Sequence, residues 1–254
     1  MVNKVQLESS GATDVGQMRS TNQDAFLIDE PQSLYIVADG MGGHAGGEIA
    51  SKLCVDEIAQ YARDNQAVFA GERKHPDPKV AGTLVEAVNY ASTKIYERAL
   101  EEPSLKGMGT TATVLMVVED YAYCAHVGDS RLYLLRCGYI YQLTNDHSLV
   151  SEQVRAGLLT KEEAELHHLR NVITRSVGYQ EEEDVDTTSL RLEDGDCLLI
   201  CSDGLHGKVT DQELSLMIEK HGLKAVEELI KLANDRGGDD NITTVILKVK
   251  VSAK

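Results

Sequence analysis

The feature that most constrains the fold is a run of β-type sequence between residues 111 and 144. It reads TATVLMVVEDYAYCAHVGDSRLYLLRCGYIYQLT, four apolar runs joined by connections of only a few residues. Parallel strands need crossovers of a dozen or more residues, so connections this short join antiparallel neighbours. The segment therefore predicts an antiparallel meander.

Strand and helix patterns flank this meander on both sides. Three short strand-like runs open the chain, and the spacing of apolar residues predicts helices at about 46–63 and 78–101. Two more strands, helices at about 210–221 and 223–236, and a final β-branched strand follow. Strands interrupted by helix pairs indicate an α+β fold of antiparallel sheets covered by helices. No linker-like composition divides the chain, so we expect one domain over residues 1–254.

Composition excludes several classes of partner. The chain has 25 basic and 41 acidic residues, a formal net charge of −16, which disfavours binding to nucleic acid or to anionic lipid. Its five cysteines form no CxxC pair and are typical of core thiols in a reducing compartment. No signal-peptide pattern and no membrane-spanning apolar stretch is visible in the sequence. We therefore expect a cytoplasmic protein with no nucleic-acid or membrane partner.

Aspartates recur where the apolar runs end. Asp39, Asp129 and Asp203 each follow an apolar run and precede a glycine or a serine. Asp240 stands just before the last strand, and Asp24 opens the second one. An aspartate at a strand end often only begins a turn through its own side chain. That explanation weakens when the pattern recurs at four separate apolar runs.

Convergence of these carboxylates would require cations. Two unit charges ~4 Å apart repel by about 4 kcal/mol at an effective dielectric constant of 20. Ligand sets made only of oxygen favour Mg²⁺ or Mn²⁺, whereas Zn²⁺ would need a cluster of Cys and His. Two such ions roughly 3.5–4 Å apart activate a shared water for in-line displacement at a phosphate ester. The recurring aspartates thus predict phosphoester hydrolysis.

The glycine-rich loop after the third strand-like run also has two nucleotide-binding interpretations. Residues 40–45, GMGGHA, fit the loose dinucleotide fingerprint, but Asp39 would face the pyrophosphate and no βαβ series follows. The stretch GGHAGGE fits a phosphate loop except that Glu48 and Ile49 occupy the Lys and Ser/Thr positions. A metal-binding turn remains, in which Asp39 is a ligand and the Gly40 carbonyl is accessible because glycine has no side chain.

Eight sequence motifs occur in order along the chain, at RSTNQDAF, VADGMGGHAGG, GMGTTATV, HVGDSRLYLLR, TNDHSLVSEQVRAGLLT, RNVITRSVG, CSDGL and GGDDNITTVIL. In this order they resemble the motifs of bacterial metal-dependent protein phosphatases of the protein phosphatase 2C type. The resemblance runs from about residue 13 to residue 249. It implies a four-layer α-β-β-α sandwich of two mainly antiparallel sheets flanked by helix pairs. It also implies a small flap at about residues 146–175 that borders the site.

The resemblance implies a set of metal ligands. They are Asp24, Asp39, Gly40, Asp129, Asp203 and Asp240. In this family pattern Asp39 bridges two core ions, Mn²⁺ or Mg²⁺, Gly40 contributes its backbone carbonyl, and Asp203 and Asp240 ligate one ion directly. Asp24 acts through water or from behind the residues that contact the ions, and Asp129 shares a possible third, weaker ion with Asp203. Asp239 receives no role, because the family ligand directly precedes the asparagine.

Two further positions bear on catalysis. Arg19 matches the arginine that binds the substrate phosphate, and its rigid fork of donors suits phosphate oxygens. In eukaryotic relatives a histidine proposed as the general acid follows the Asp-Gly pair directly, but Met41 stands there in this chain. His44 would protonate the leaving oxygen if the loop curls back, and an ordinary turn histidine is equally consistent with its position.

The resemblance leads to a specific functional hypothesis. We expect a monomeric phosphatase that hydrolyses phosphoserine and phosphothreonine by direct attack of a metal-bridging hydroxide, without a covalent phosphoenzyme. Its partners would be phosphorylated proteins, including a Ser/Thr kinase or the substrates of that kinase. Two alternatives remain open at this point. One is a non-catalytic module that kept the fold, and the other is a phosphatase for small phosphoesters.

Overall fold

The computed structural model describes residues 4–43, 45–71 and 74–252. The strands in these ranges are β1 (Lys4–Asp14), β2 (Asp24–Asp29), β3 (Leu34–Met41), β4 (Gly109–Thr110), β5 (Ala112–Val118), β6 (Tyr121–Val127), β7 (Arg131–Arg136), β8 (Tyr139–Gln142), β9 (Asp186–Arg191), β10 (Cys197–Cys201) and β11 (Ile242–Ser252). The α-helices are α1 (Gly46–Asp64), α2 (Gln66–Phe69), α3 (Pro78–Glu101), α4 (Leu149–Arg155), α5 (Lys161–Glu165), α6 (Asp203–His206), α7 (Asp211–His221) and α8 (Ala225–Asp235).

The strands form two sheets. One sheet has the order β1-β11-β10-β7-β8, and the other has the order β2-β3-β5-β6-β9, with the short β4 paired to β3. Each of these pairings is antiparallel. The predicted antiparallel architecture is therefore confirmed.

Three apolar clusters hold the layers together. Ile36 and Leu84 belong to the cluster between the second sheet and the helices α1 and α3. Leu229 belongs to the cluster between the first sheet and the helices α7 and α8. Leu115 and Leu198 lie in the third cluster, which fills the space between the two sheets. This arrangement is the four-layer α-β-β-α sandwich that the family resemblance implied.

The packing of strand β3 explains why this segment of the sequence is apolar at successive positions. Leu34, Ile36 and Ala38 pack in the cluster beneath the helices, whereas Tyr35 and Val37 pack in the cluster between the sheets. Successive side chains of a strand point to opposite faces of its sheet. A strand buried on both faces must therefore be apolar throughout, until a polar residue marks the open end of the strand.

The predicted four-strand meander is wrong in one respect. Strand β5 pairs with β6 in one sheet, but β7 pairs with β8 in the other, so the chain changes sheets between Val127 and Arg131. Three extended residues span ~10 Å, which is the spacing of packed sheets. A short connection therefore fits a crossing to the facing sheet as well as a hairpin. This crossing places Asp129 at the junction of the two sheets.

Two helices begin at residues that are typical of helix N-termini. Helix α3 spans the predicted residues 78–101, with Pro78 in its first turn and the Asp77 side chain accepting from Lys79 N. Helix α7 begins with a capping box formed by Thr210 and Glu213. Within the described ranges, no helix is both long enough and apolar enough to cross a membrane.

The segment predicted as a flap contains the two short helices α4 and α5. An isolated bridge between Ser148 and Ile173 brings the two ends of this segment together. The backbone of His147 also joins them, because its N–H donates to Gly128 O at 2.8 Å and its carbonyl accepts from Thr174 N at 2.8 Å. The base of the segment is therefore attached to the connection that carries Asp129.

Candidate active site

Five aspartates converge where the two sheets meet. Asp24 opens β2, Asp39 lies near the end of β3, and Asp129 lies between β6 and β7. Asp203 is the first residue of α6, separated from the end of β10 by one residue, and Asp240 precedes β11. The negative charges of the other four all raise the pKa of the Asp39 carboxyl. The structure thus brings together all the carboxylates that the sequence predicted as ligands.

Burial is the main reason that four of these carboxyls resist ionisation. It raises the pKa of Asp24 to about 7 and, with repulsion from Asp203 and Asp146, the pKa of Asp129 to about 8. The pKa of Asp39 lies well above its ordinary value, first through burial and then through repulsion from its neighbours. Burial also raises the pKa of Asp203 to about 6, although a hydrogen bond with Asp39 limits that rise. The cluster therefore needs protons or cations to be stable.

Two oxygens of the cluster have no hydrogen-bond partner. Asp24 Oδ1 and Asp203 Oδ1 are both buried and unpaired within the described part of the chain. Such an atom costs ~1–3 kcal/mol unless an ion or a water satisfies it. A hard divalent ion and the water bound to it would satisfy both oxygens and offset the repulsion, and a donor set made of oxygen selects Mg²⁺ or Mn²⁺. The residues present therefore fit such ions.

The carboxylates surround a shared space and do not form a closed cage. Among the described residues, no three carboxylate, thiol or imidazole groups already stand as a complete ion site. Mg²⁺ usually takes one or two carboxylates and keeps several waters, so a looser ring of acids suits it. Arg19 Nη2 lies 2.7 Å from Asp240 Oδ2 at the edge of this ring.

Arg19 reaches the cluster because backbone hydrogen bonds hold its loop. Gly238 O, just before β11, accepts from Gln17 N at 2.8 Å and from Met18 N at 3.2 Å. These two bonds bring the next residue, Arg19, against Asp240. The side chain of Arg19 is 50% exposed, which leaves its donors accessible to an incoming anion.

Asn241 is a site residue that sequence reasoning missed. Its buried side chain accepts from Gln23 N at 2.7 Å and donates to Val15 O at 2.9 Å and Thr21 O at 3.0 Å. These three bonds hold both ends of the loop that carries Arg19. In the sequence, the only signal for this role is an amide side chain at the start of a β-branched strand.

Thr111 is a second missed residue, and it supports Asp39 from behind. Its Oγ1 accepts from Asp39 N at 2.9 Å, and its own N–H donates to Asp39 O at 2.8 Å. The same hydroxyl lies 2.8 Å from Ser130 Oγ, next to Asp129. Thr111 therefore links the end of β3 to the connection between the two sheets.

Two glycines permit the close backbone approaches that the site requires. A Cβ atom at Gly40 would collide with Gly47 O, so the end of β3 packs directly on the first turn of α1. A Cβ atom at Gly204 would collide with Asn241 O, so the start of α6 packs directly on the start of β11. Only glycine fits positions of this kind, and the second approach brings Asp203 towards Asp240.

Two residues near the predicted ligands have partners outside the cluster, and the structure does not describe a third position that the sequence singled out. Asp239 forms an ion pair with Lys208. Met41 is the last residue of β3 and pairs with Gly109. His44, the candidate general acid, lies outside the described residues. Its role therefore stays a prediction.

Comparison with known proteins identifies the family. A family model described as protein phosphatase 2C matches residues 16–245. The chain belongs to the protein phosphatase 2C family. Protein phosphatase PhpP of Streptococcus pneumoniae is 38% identical over 248 residues, which cover 96% of this chain and 98% of the relative.

Solved structures agree with this family assignment. The Mycobacterium tuberculosis serine/threonine phosphatase PstP/Ppp matches with a TM-score of 0.86 and 33% identity, covering 96% of this chain and 99% of the other. The catalytic domain of the serine/threonine phosphatase PstP in complex with two manganese ions matches with a TM-score of 0.85 and 33% identity, covering 97% and 100%. As a protein phosphatase 2C member, the chain is a metal-dependent protein serine/threonine phosphatase.

Proposed function

We propose that this chain removes phosphate from phosphoserine and phosphothreonine in proteins by direct attack of water on phosphorus, with Mn²⁺ or Mg²⁺ bound. The observation that carries the proposal is the buried Asp39 carboxyl, surrounded by four other aspartates, with Arg19 at the rim. A group of acids this dense is useful only when cations occupy the space between them. An anionic phosphate would then meet a site whose charge has been neutralised.

We assign the ion-binding groups from the resemblance to the family, and the mutual repulsion of these carboxyls around Asp39 supports the assignment. Two core ions would be held by Asp39, the Gly40 carbonyl, Asp203 and Asp240, with Asp24 acting through water. Asp129 and Asp203 would hold a third, weaker ion, because these two carboxyls are close enough that, after burial, the charge of Asp203 raises the pKa of Asp129. When bound, the ions would supply Lewis acidity that activates the attacking water and positive charge that offsets the phosphate.

Arg19 is the group that we assign to the substrate phosphate. Its guanidinium donates to Asp240 at 2.7 Å and remains half exposed, so a phosphate entering the site would compete with Asp240 for the same donors. The planar fork of a guanidinium matches two phosphate oxygens at once. Arg19 would therefore orient the phosphate for attack while Asp240 turns to the ions.

The cysteines support attack by water and not by a thiol. Burial raises the pKa values of Cys54, Cys124, Cys197 and Cys201 to about 12, so their thiols stay protonated at neutral pH. Cys137 lies beyond the far end of β7, about 20 Å of strand away from the aspartate cluster. Four thiols are thus held protonated and the fifth is remote, so none of the five is suited to act as the nucleophile.

The functional partners and the cellular compartment of the protein can be inferred from the chemistry of the reaction and from the composition of the chain. Phosphorylated Ser and Thr arise from kinases, so a Ser/Thr kinase or its substrates are the expected functional partners. Free buried thiols favour a reducing compartment, the cytoplasm, and the net charge of −16 opposes contact with nucleic acid or anionic lipid. We infer a monomer, since no oligomer is needed to complete the site.

Phosphate release with and without Mn²⁺ tests the proposal. Wild-type protein should hydrolyse phosphoserine and phosphothreonine peptides much faster than sugar or nucleotide phosphates, and only with the metal. The Asp39→Ala variant should lose this activity, while Asp56→Ala, an exposed acid on α1, should retain it. Mn²⁺ binding without turnover of any phosphoester would instead indicate a regulatory module. Preference for small phosphoesters would support the other alternative.

A further inference from the structure

A ring of hydrogen bonds lies behind Asp24, on the side away from its unpaired oxygen. Asp24 is buried, and its Oδ2 accepts from Thr243 Oγ1 at 2.6 Å and from Ser202 Oγ at 2.8 Å. Its other oxygen, Oδ1, has no partner within the described residues. The two oxygens of one carboxylate therefore have very different surroundings.

The direction of the hydrogen bonds in this ring follows from the groups at its two ends, the Asn22 amide, which donates, and the Asp24 carboxylate, which accepts. The Asn22 amide Nδ2 can only donate, and it lies 2.8 Å from Thr13 Oγ1. Thr13 accepts there and donates to Thr243 Oγ1 at 2.7 Å, which leaves the Thr243 proton for Asp24. The ring closes where Asp24 N donates to Asn22 Oδ1 at 3.1 Å.

Ser202 adds a second donor with a fixed direction. Its Oγ accepts from Thr243 N at 2.9 Å, so its own hydroxyl proton is directed to Asp24 Oδ2. Both hydroxyl protons are thus committed to the same oxygen. Nothing in this network competes for Oδ1, which stays available to a ligand.

The ring also joins the two sheets at the site. Thr13 on β1 is the register partner of Thr243 on β11, and Ser202 directly follows β10 in the same sheet. Asp24 belongs to β2, in the facing sheet. The network therefore sets the position of Asp24 relative to Asp203, the residue after Ser202.

We propose that Thr243 and Ser202, directed by Thr13, are positioning residues that hold Asp24 Oδ2 and present Oδ1 to the ion-bearing space. The inference rests on the proposed function, because it assumes that divalent ions occupy that space. Partners that orient a metal-binding group typically account for about 10- to 100-fold in metal affinity or activity. Loss of the Thr243 hydroxyl should have an effect of that size on Mn²⁺ binding.

The test compares three variants of one strand by titration calorimetry with Mn²⁺. Thr243→Val keeps the shape of the side chain but removes the donor, and we expect Mn²⁺ affinity to fall about 10-fold or more. Thr243→Ser keeps the hydroxyl and should restore most of the affinity. Thr244→Val is the matched control, because Thr244 is equally buried on the same strand and its Oγ1 has no partner within the described residues.

Activity measurements separate positioning from simple damage. At limiting Mn²⁺ the Thr243→Val variant should turn over phosphopeptide slowly, and saturating Mn²⁺ should recover most of the rate with an unchanged KM for the peptide. A folded Thr243→Val that binds Mn²⁺ as tightly as Thr244→Val overturns the inference. If Thr243→Val does not fold, Ser202→Ala is measured against Thr244→Val with the same two outcomes.

The design also distinguishes this inference from the proposed function. If wild-type protein neither binds Mn²⁺ nor hydrolyses phosphopeptides, the proposed function fails, and the positioning role fails with it. If wild-type protein does both, and only the difference between the Thr243 and Thr244 variants is missing, the positioning role alone is wrong.

Discussion

Asp24 and Asp39 stand directly opposite each other across the antiparallel pair of β2 and β3. Opposed residues of this kind have Cβ atoms about 4.5–5.5 Å apart, and like charges placed there destabilise a sheet. The strand register thus forces two carboxyls together in a buried place. This is unfavourable for the metal-free fold and favourable for binding cations, so stability and function oppose each other at this pair.

Replacing Asp39 with asparagine should therefore stabilise the metal-free protein while abolishing metal-dependent turnover. Relief of one opposed charge is worth about 1 kcal/mol, which corresponds to a rise of roughly 2–4 °C in the unfolding midpoint for a chain of this size. Thermal unfolding in the presence of a chelator measures the shift. Asp56→Asn, on the exposed face of α1, should change neither property. A lower midpoint for metal-free Asp39→Asn than for wild type would contradict the argument.

Replacing Arg19 with lysine should reduce kcat/KM for phosphopeptides by about 10- to 100-fold, because lysine cannot make the two parallel bonds of a guanidinium. Calorimetry should show Mn²⁺ binding at least as tight as in wild type, since Asp240 loses its competing partner. Arg98→Lys is the matched control, because the Arg98 side chain has the same 50% exposure and also pairs with one carboxylate. Equal kinetics for the two variants would exclude Arg19 from phosphate binding.

Replacing Asn241 with alanine should both destabilise the fold and slow catalysis. Three hydrogen bonds to the backbone of the Arg19 loop are lost, at about 1 kcal/mol each. Hydrogen exchange should show faster exchange of the amides in residues 15–23. The Asn89→Ala control removes one side-chain bond, from Glu183 N, and should cost about a third as much. Unchanged exchange in the Arg19 loop would show that Asn241 does not hold it.

The stability of the protein should fall in acid through His126. This imidazole is buried between Thr113 Oγ1 at 3.0 Å and Asn145 O at 3.2 Å. Burial, with repulsion from His147, lowers its pKa from 6.5 to about 4, although Asp146 and Asp186 oppose the shift.

A lowered histidine pKa means that the unfolded chain takes up a proton before the folded chain does. The contribution of His126 to the free energy of unfolding is therefore complete above pH 6.5. As the pH falls towards 4, this contribution is lost, and the free energy of unfolding decreases by about 3 kcal/mol. Denaturant unfolding of wild type and His126→Gln, which cannot titrate, isolates this effect. If the free energies of unfolding of the two proteins change in parallel between pH 7 and pH 4, His126 does not cause the loss of stability in acid.

His44 can be tested through the leaving group. A general acid matters for a serine alkoxide, which must be protonated, and hardly for p-nitrophenolate, which leaves unaided. His44→Ala should therefore lower kcat for phosphoserine peptides by about 100-fold or more and leave p-nitrophenyl phosphate nearly unaffected. An equal loss of kcat on both substrates, or no loss on either, would show that His44 is not the general acid.

Local patterns in the sequence predicted a large part of the fold. Helix α3 occupies the predicted residues 78–101, and α1 ends one residue after its predicted span of 46–63. The change of sheet after β6 could not be predicted, because the same three-residue connection suits a hairpin or a crossing. The hypothesis that the strand-end aspartates converge agrees with the structure. It rested on the recurrence of aspartate at several strand ends, because a single aspartate at a strand end would have predicted only a turn.

By itself, the sequence determined which segments become strands and helices and that acids such as Asp39 and Asp203 lie where strands stop. Periodicity and turn chemistry are local, so neighbouring residues suffice to specify them. Only the tertiary structure decided that Asp24 opposes Asp39 and that Thr243 donates to Asp24, a bond between residues 219 positions apart. Register, sheet membership and hydrogen-bond partners depend on packing of the whole chain, which no local pattern encodes.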